Sequence, residues 1–271
     1  MSLSILNSIS ALTAENALSS TQTNLQKTFT QLSTGLKINS GSDDAAGLSI
    51  ANGLQANISA LTQSSQNASD GIGLLQTADG ALSQVTSLLN RAVTLATEAS
   101  TGGLSTAQST ALDTEYQSIL TEIGSIGTTT NYNGTAIFGG TATVYTSDGT
   151  AGGSATVSTA ITALTTAGLG LAGNLLTTAA AQTELAAIST AVGTIAANRG
   201  DIGAAVNQLT ADVNVQNTEV TNLQAAQNNV QNADIGKTVS QMTQYNVLQQ
   251  TGMAALSNAN QSQQAVLKLL Q

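Results

Sequence analysis

The sequence predicts a mainly α-helical chain: a long antiparallel coiled-coil rod formed by its N- and C-terminal segments, with a small β-rich insertion between them. Three observations point there. Apolar residues recur at spacings of three and four through most of both halves, which is the periodicity of a helix that packs on another helix. The 271 residues include no Pro, so nothing interrupts helices that run for many turns. Only the middle loses the pattern, and there Thr, Gly and alternating residues take over.

Residues 1–42 read as an N-terminal core helix and connector. Leu18, Leu25 and Leu32 stand seven apart, with Phe29 and Leu36 interleaved. Upstream, Leu3, Leu6, Ile9 and Leu12 recur every three residues with almost no charge, so one apolar side has nothing nearby in sequence to cover it. Gly35 and Gly41 break the helix. Ser42 then offers a hydroxyl to the unpaired amides of a new helix, and Asp43 and Asp44 place negative charge at the positive end of its dipole. The second helix is expected to start near residue 43.

Residues 43–128 read as the N-terminal helical rod. Leu54, Leu61, Ala68, Leu75, Leu82, Leu89 and Ala96 hold one heptad position, joined by Ile58 and Ile72 and then, in shifted phase, by Ala78, Val85 and Ala92. The shift falls beside Gly71 and Gly73 and predicts a bend or a local change of packing there. Thr101-Gly102-Gly103 ends the helix, and a third one carrying Leu112, Tyr116, Ile119, Ile123 and Ile126 returns alongside it after a short connection.

Residues 129–178 form the small β-rich variable region. Asn131-Tyr132-Asn133-Gly134 is a turn signal, and alternating runs at 141–146 and 154–158 flank Ser147-Asp148-Gly149. Residues 179–232 are the C-terminal helical rod. Leu185, Val192, Val206, Val213 and Val220 hold one seam position, and Ile188, Ile195, Ile202, Leu209, Leu223 and Val230 hold the other. Arg199, Gln216 and Gln227 fall in the seam, where long polar chains set register at some cost in stability. After a break at Ala233-Asp234-Ile235-Gly236, residues 233–271 give a C-terminal core helix with Val239, Met242, Tyr245, Leu248, Leu256, Ala259, Val266 and Leu270.

The residue inventory narrows function. Without His or Cys the usual bases, thiol nucleophiles and zinc clusters are absent, so no catalytic, cofactor or metal residue is assigned and no enzyme is expected. Asp43 and Asp44 are adjacent and point apart, which suits capping better than a shared site. Six Lys and Arg are scattered against fifteen Asp and Glu, for a net charge of -9, and no patch could neutralise a run of phosphates. Nucleic acid is therefore not an expected partner. No stretch reaches the roughly 20 apolar residues of a membrane span. The start, Met-Ser-Leu-Ser-Ile-Leu-Asn, lacks the basic and apolar blocks of a cleaved secretory signal, so leaving the cell would need another route.

One stretch carries more than helix chemistry. Residues 32–47 read Leu-Ser-Thr-Gly-Leu-Lys-Ile-Asn-Ser-Gly-Ser-Asp-Asp-Ala-Ala-Gly, which closely resembles the signature of bacterial flagellins. Ser69-Asp70-Gly71-Ile72, Ala78-Asp79-Gly80-Ala81-Leu82, Asn131-Tyr132-Asn133-Gly134, Arg199-Gly200-Asp201-Ile202-Gly203-Ala204, Asn232-Ala233-Asp234-Ile235 and Val247-Leu248-Gln249-Gln250-Thr251-Gly252 resemble further blocks of that family, in order. Gln271 stands where the family usually ends in Arg, and Lys237 where it often has an acidic residue.

The resemblance implies a minimal flagellin without large outer domains: a structural subunit that self-assembles into the extracellular filament of the bacterial flagellum. It implies packing in the polymer through Leu18, Leu25, Phe29, Leu32, Leu36, Val239, Met242, Leu248, Leu256, Val266 and Leu270. It also implies type III export, an export chaperone, and hook-associated and cap proteins as partners. Arg91, Leu95 and Glu115 match positions through which some flagellins are recognised by the flagellin-sensing Toll-like receptor of vertebrates, while a surface ion pair is the plainer role of Arg91 and Glu115. Apolar faces at 3–36 and 235–270, coverable only by neighbouring copies, are expected to lack structure in dilute solution and to become helical in the filament. Two alternatives stand beside this reading. Hook-filament junction proteins resemble flagellins at both ends but usually carry prolines near the Asp-Asp site, and a non-polymerising secreted coiled-coil binding module belongs to another class.

Overall fold

This computed structural model describes residues 9–147 and 155–269, the side chains of Gln263 and of residues 266–269 excepted. In chain order it contains α1 (Ile9–Thr34), α2 (Ala45–Ala99), α3 (Thr106–Thr129), β1 (Asn131–Tyr132), β2 (Thr135–Ala136), β3 (Thr141–Tyr145), β4 (Thr156–Ala160), α4 (Thr178–Gln231) and α5 (Ile235–Leu269). The chain is mainly helical with a small β insertion, as the sequence predicts. Contacts divide it into two compact units, one of Met1–Ala56 with Leu223–Gln271 and one of Asn57–Asn222.

The unit of Asn57–Asn222 is built on a seam between α2 and α4. On α2, Leu61, Ala68, Leu75, Leu82, Leu89 and Ala96 form one buried row, and Ser64, Gly71, Ala78, Val85, Ala92 and Ala99 form a second. On α4, Ala181, Ile188, Ile195, Ile202, Leu209 and Gln216 form one row, and Glu184, Ala191, Asn198 and Ala205 the other. Members of each row are seven residues apart, so both helices keep the same face inward along the unit. Ser64 meets Gln216, Gly71 faces Leu209 and Asp79 meets Arg199, so the two helices run antiparallel. The third helix, α3, adds Tyr116, Ile119, Leu120 and Ile123 to the core. It begins in a capping box, in which Ser105 and Gln108 each accept from the other's backbone N–H.

Two expectations change here. The second α2 row passes through Gly71 without a phase shift, α2 runs unbroken from Ala45 to Ala99, and Ile72 is only half-buried. The local change of packing at the glycines is a close approach: a Cβ on Gly71 would collide with Val144 of β3, and one on Gly73 would lie 3.1 Å from the Tyr132 hydroxyl. On α4, Leu185, Val192, Val206, Val213 and Val220 are half-buried and flank the core, while the true second row is small or polar.

In the insertion, β1 and β2 pair through a two-residue turn, with Asn133 and Gly134 at φ 50° and 78°, the left-handed backbone these residues tolerate best. The longer strands β3 and β4 pair antiparallel, with Val144 opposite Val157 and Tyr145 opposite Thr156. The second run is Thr156–Ala160 rather than 154–158, and Asp148 and Gly149 lie outside the described residues. Residues 161–177 are turns rather than strand, which makes the region less β-rich than expected. Their irregularly spaced Ile161, Leu164, Leu169, Leu171 and Leu175 plug the core. Side chains of α3 hold this loop: Asp113 Oδ1 accepts from Leu175 N–H at 2.8 Å, and Gln117 Nε2 donates to the Gly173 carbonyl at 3.1 Å.

In the unit of Met1–Ala56 with Leu223–Gln271, α1 and α5 pack on each other. A Cβ on Gly252 would lie 3.4 Å from Leu18 Cδ1, and Leu25 and Phe29 share a groove with Met242, Asn246 and Gln249, so the pair is antiparallel. The expectation that these faces are covered only by other copies is thus corrected in part: both carry a seven-residue repeat, and they cover each other. Each α1 threonine turns its hydroxyl inward, with Thr13, Thr21, Thr23, Thr28, Thr30 and Thr34 donating to the carbonyl four residues earlier. Thr238, Thr243 and Thr251 of α5 do the same.

Candidate functional site

Among the described residues no group of three or more His, Cys, Asp and Glu is placed to hold a metal, and no helix is long and apolar enough to cross a membrane. What the chain offers to partners is surface. The α1–α5 pair leaves much of its apolar side uncovered. Leu18, Leu25, Leu32, Leu36, Met242 and Leu256 are half-buried between the helices or beside them. Phe29, Val239 and Leu248 are exposed by 63%, 40% and 45%, too much for core residues of a single chain. The Val266 side chain and Leu270 lie outside the described residues. An open groove of ≈ 570 Å³ runs along the pair, lined by Leu25, Phe29 and Met242 together with amide side chains such as Gln22 and Asn246. Heptad reading of large side chains missed Thr28 and Thr238, which are buried, and Gly252, which admits Leu18. A repeat read over small residues as well as large ones would have found them, since Thr21 and Thr28, and Thr238, Tyr245 and Gly252, are seven apart.

The three connector residues divide their roles. The start of α2 is Ala45, and its cap is Asp44, whose Oδ1 accepts from Gly47 N–H at 2.9 Å. The cap therefore falls two residues after the expected Ser42, whose hydroxyl bonds that of Ser40 at 2.8 Å instead. Asp43 faces away from the helix. Its Oδ1 pairs with Lys27 Nζ at 2.8 Å, and its Oδ2 accepts from the amides of Asn39 and Ser40, each at 3.1 Å. The Lys27 ammonium, then the Asn39 amide, hold this carboxyl down at about 2. Lys27 carries no sequence signal of this role, because the contact is set by how the connector folds back.

Arg91 Nε and Glu115 Oε1 are 2.7 Å apart on α2 and α3, and both side chains are about half exposed. Each stabilises the other's charge, raising the guanidinium and lowering the carboxyl. Leu95 is 1% exposed and belongs to the core, which removes it from the surface expected to meet a receptor. Leu95 faces inward because it stands one turn from the buried Ala92 and Ala99 as well as from Arg91.

The seam's polar residues are tied within the chain. Arg199 grips Asp79 with both Nε and Nη2, at 2.7 and 3.2 Å. Gln216 Nε2 donates to Ser64 Oγ at 2.9 Å and to the Thr146 carbonyl at 2.8 Å, and Gln227 Nε2 donates to Gln55 Oε1 at 3.0 Å. Glu184, unnoticed in the sequence, accepts from the buried Tyr116 hydroxyl, and burial followed by this carboxylate pushes the phenol well above its ordinary value.

Comparison with known proteins accounts for this combination of long paired helices, a small insertion and exposed apolar ends. Residues 5–143 match the bacterial flagellin N-terminal helical region, and residues 185–270 match the bacterial flagellin C-terminal helical region. The chain belongs to the bacterial flagellin family. The flagellin of Halalkalibacterium halodurans is 34% identical over 248 residues, covering 90% of this chain and 91% of that one. The flagellin of Bacillus subtilis is 31% identical over 301 residues, covering 98% and 99%. A crystal structure of Bacillus cereus flagellin superposes with a TM-score of 0.50 at 30% identity, covering 60% of this chain and 94% of that one. As a flagellin-family member the chain is a structural subunit that self-assembles into the flagellar filament, and the matched names support this over a junction protein or a free binding module.

Proposed function

We propose that copies of this chain build the filament outside the cell, with the exposed faces of α1 and α5 making its innermost contacts. The observation that carries this is the exposure of Phe29, Val239 and Leu248, joined by Ile9, Leu12, Val247 and Met253, on a pair that buries little of itself. Taking such surface out of water is worth roughly 25 cal/mol per Å², and identical subunits joined head to tail without closure extend indefinitely. Leu18, Leu25, Leu32, Leu36, Met242 and Leu256 would hold the pair in shape beneath that contact, and Val266 and Leu270 would prolong it. On family resemblance, the export chaperone, the hook-associated proteins and the cap would meet these same ends, and type III export would deliver the chain unfolded. Arg91 and Glu115 are the part of the receptor-like constellation that remains exposed, and a Toll-like receptor would meet them without Leu95.

The test is negative-stain microscopy of heat-dissociated protein returned to assembly conditions, beside a copy lacking residues 1–36. Long filaments from the full chain alone are expected. Filaments from the truncated copy would show that α1 is not an innermost contact.

A further inference from the structure

Sulfur is scarce in this chain, and its placement is narrow. The sequence has no Cys, and its three methionines are Met1, Met242 and Met253. Residues 57–222 contain none of them, so the unit built on the α2–α4 seam holds no sulfur for an oxidant to attack. Met242 and Met253 both belong to α5 and stand eleven residues apart, about three full turns, so they lie on one side of that helix. Ile235 and Val239, both exposed, continue the same side at spacings of four and three. Met242 lines the open groove beside Phe29, and Met253 is 50% exposed. Both thioethers are open to water in a single chain, whether or not α1 lies alongside. An unbranched thioether suits a contact between copies because it adapts to irregular gaps. It is also an apolar side chain that one oxygen atom makes polar.

We propose that Met242 and Met253 are oxidation sites of the free subunit, and that their conversion to sulfoxides by a peroxide withdraws that subunit from filament growth. The proposal rests on the assembly reading above. The sulfur lone pair takes one peroxide oxygen, the O–O bond breaks, and the proton on the transferred oxygen passes to the departing hydroxide. One sulfoxide and one water result, with sulfur oxidised by two electrons and the peroxide reduced by two. Each sulfoxide puts a strong acceptor where a neighbouring copy would otherwise bury an apolar side chain, and burying it without a donor is costly. In the free subunit the new oxygen stays in water, so the fold is left alone. Once neighbours cover the sulfur, the oxidant is shut out. The site therefore acts on subunits before they are built in, and enzymatic reduction of the sulfoxides reverses it.

Hydrogen peroxide applied to the full-length monomer, then removed with catalase before seeding, tests the site. Peptide mass spectrometry should find an added oxygen on both Met242 and Met253, and seeded growth followed by light scattering should slow by roughly tenfold. Treatment with methionine sulfoxide reductases for both sulfoxide epimers should restore the rate. A double variant, Met242→Leu with Met253→Leu, keeps Met1 and should grow at its untreated rate after the same exposure. If that variant fails to assemble untreated, reductase rescue of the native chain still decides. Exposed to peroxide as filaments, native subunits should oxidise at both positions at least about tenfold more slowly than monomers. Undiminished growth of the oxidised native chain, equal loss in the treated double variant, or equal oxidation in filament and monomer would overturn the proposal. An untreated native chain that never forms filaments would instead sink the assembly reading and, with it, the part these methionines play in growth.

Discussion

The two units use the same seven-residue spacing to opposite ends. In Asn57–Asn222, two rows on each of α2 and α4 close on one another, and the polar members of those rows find partners inside the unit. In the α1–α5 pair the same spacing yields half-buried rows with Phe29, Val239, Val247 and Leu248 outside them. Heptad patterning therefore says that a helix has a sticky face. Whether one chain or many will cover that face is decided by how many rows the chain itself can supply.

Core truncation is the strongest way to sharpen the contrast. Ile195→Ala should lower the unfolding free energy of the monomer by about 2–5 kcal/mol in a urea titration. Leu25→Ala should change that titration far less while abolishing or slowing filament growth, and equal losses in the monomer would erase the distinction between the units. Tyr116→Phe leaves the Glu184 carboxylate buried without its donor and should cost about 1–3 kcal/mol, read the same way. Asp44→Ala removes the α2 cap and is expected to cost about 1 kcal/mol.

Acid probes the connector. Asp43 titrates near 4 when unfolded and is held to about 2 in the fold, so its contribution is complete above the unfolded value and fades as pH falls through the folded one. Resistance of the filament to acid should therefore hold from neutral pH to about 5 and decline below it, read by light scattering, and the Asp43→Asn variant should lose this part of the profile. Arg91→Gln is the smallest expected effect, under about 1 kcal/mol, because both partners are about half exposed and screened by water and salt.

Much of the fold was legible in the sequence, because Leu, Ile and Val at spacings of three and four mark helix and inward face together. Ile188, Ile195, Ile202 and Leu209 landed in the core for that reason. Their companion row did not, since Glu184, Ala191, Asn198 and Ala205 are buried by what α2, α3 and the insertion place against them, not by their own apolarity. At Gly71 the sequence left a bend and a local change of packing both open, because a missing side chain is equally a flexible joint and a vacant seat, and Val144 takes the seat. At the connector, composition identified the capping residues but not which one caps. That depended on where the chain turned, and Asp43 was recruited by Lys27 from a different helix.

The inward-turned threonines change what the α1 surface is made of. A Thr whose hydroxyl is engaged by its own helix has no donor left to give up when another helix arrives, and the group it can show a neighbour is its methyl. The exposed hydroxyl residues at positions 13, 23, 30 and 34 thus present themselves to a second copy more as Val would than as Ser. A chain with little aromatic or charged content can in this way stay wettable while travelling alone and still dry cleanly on contact.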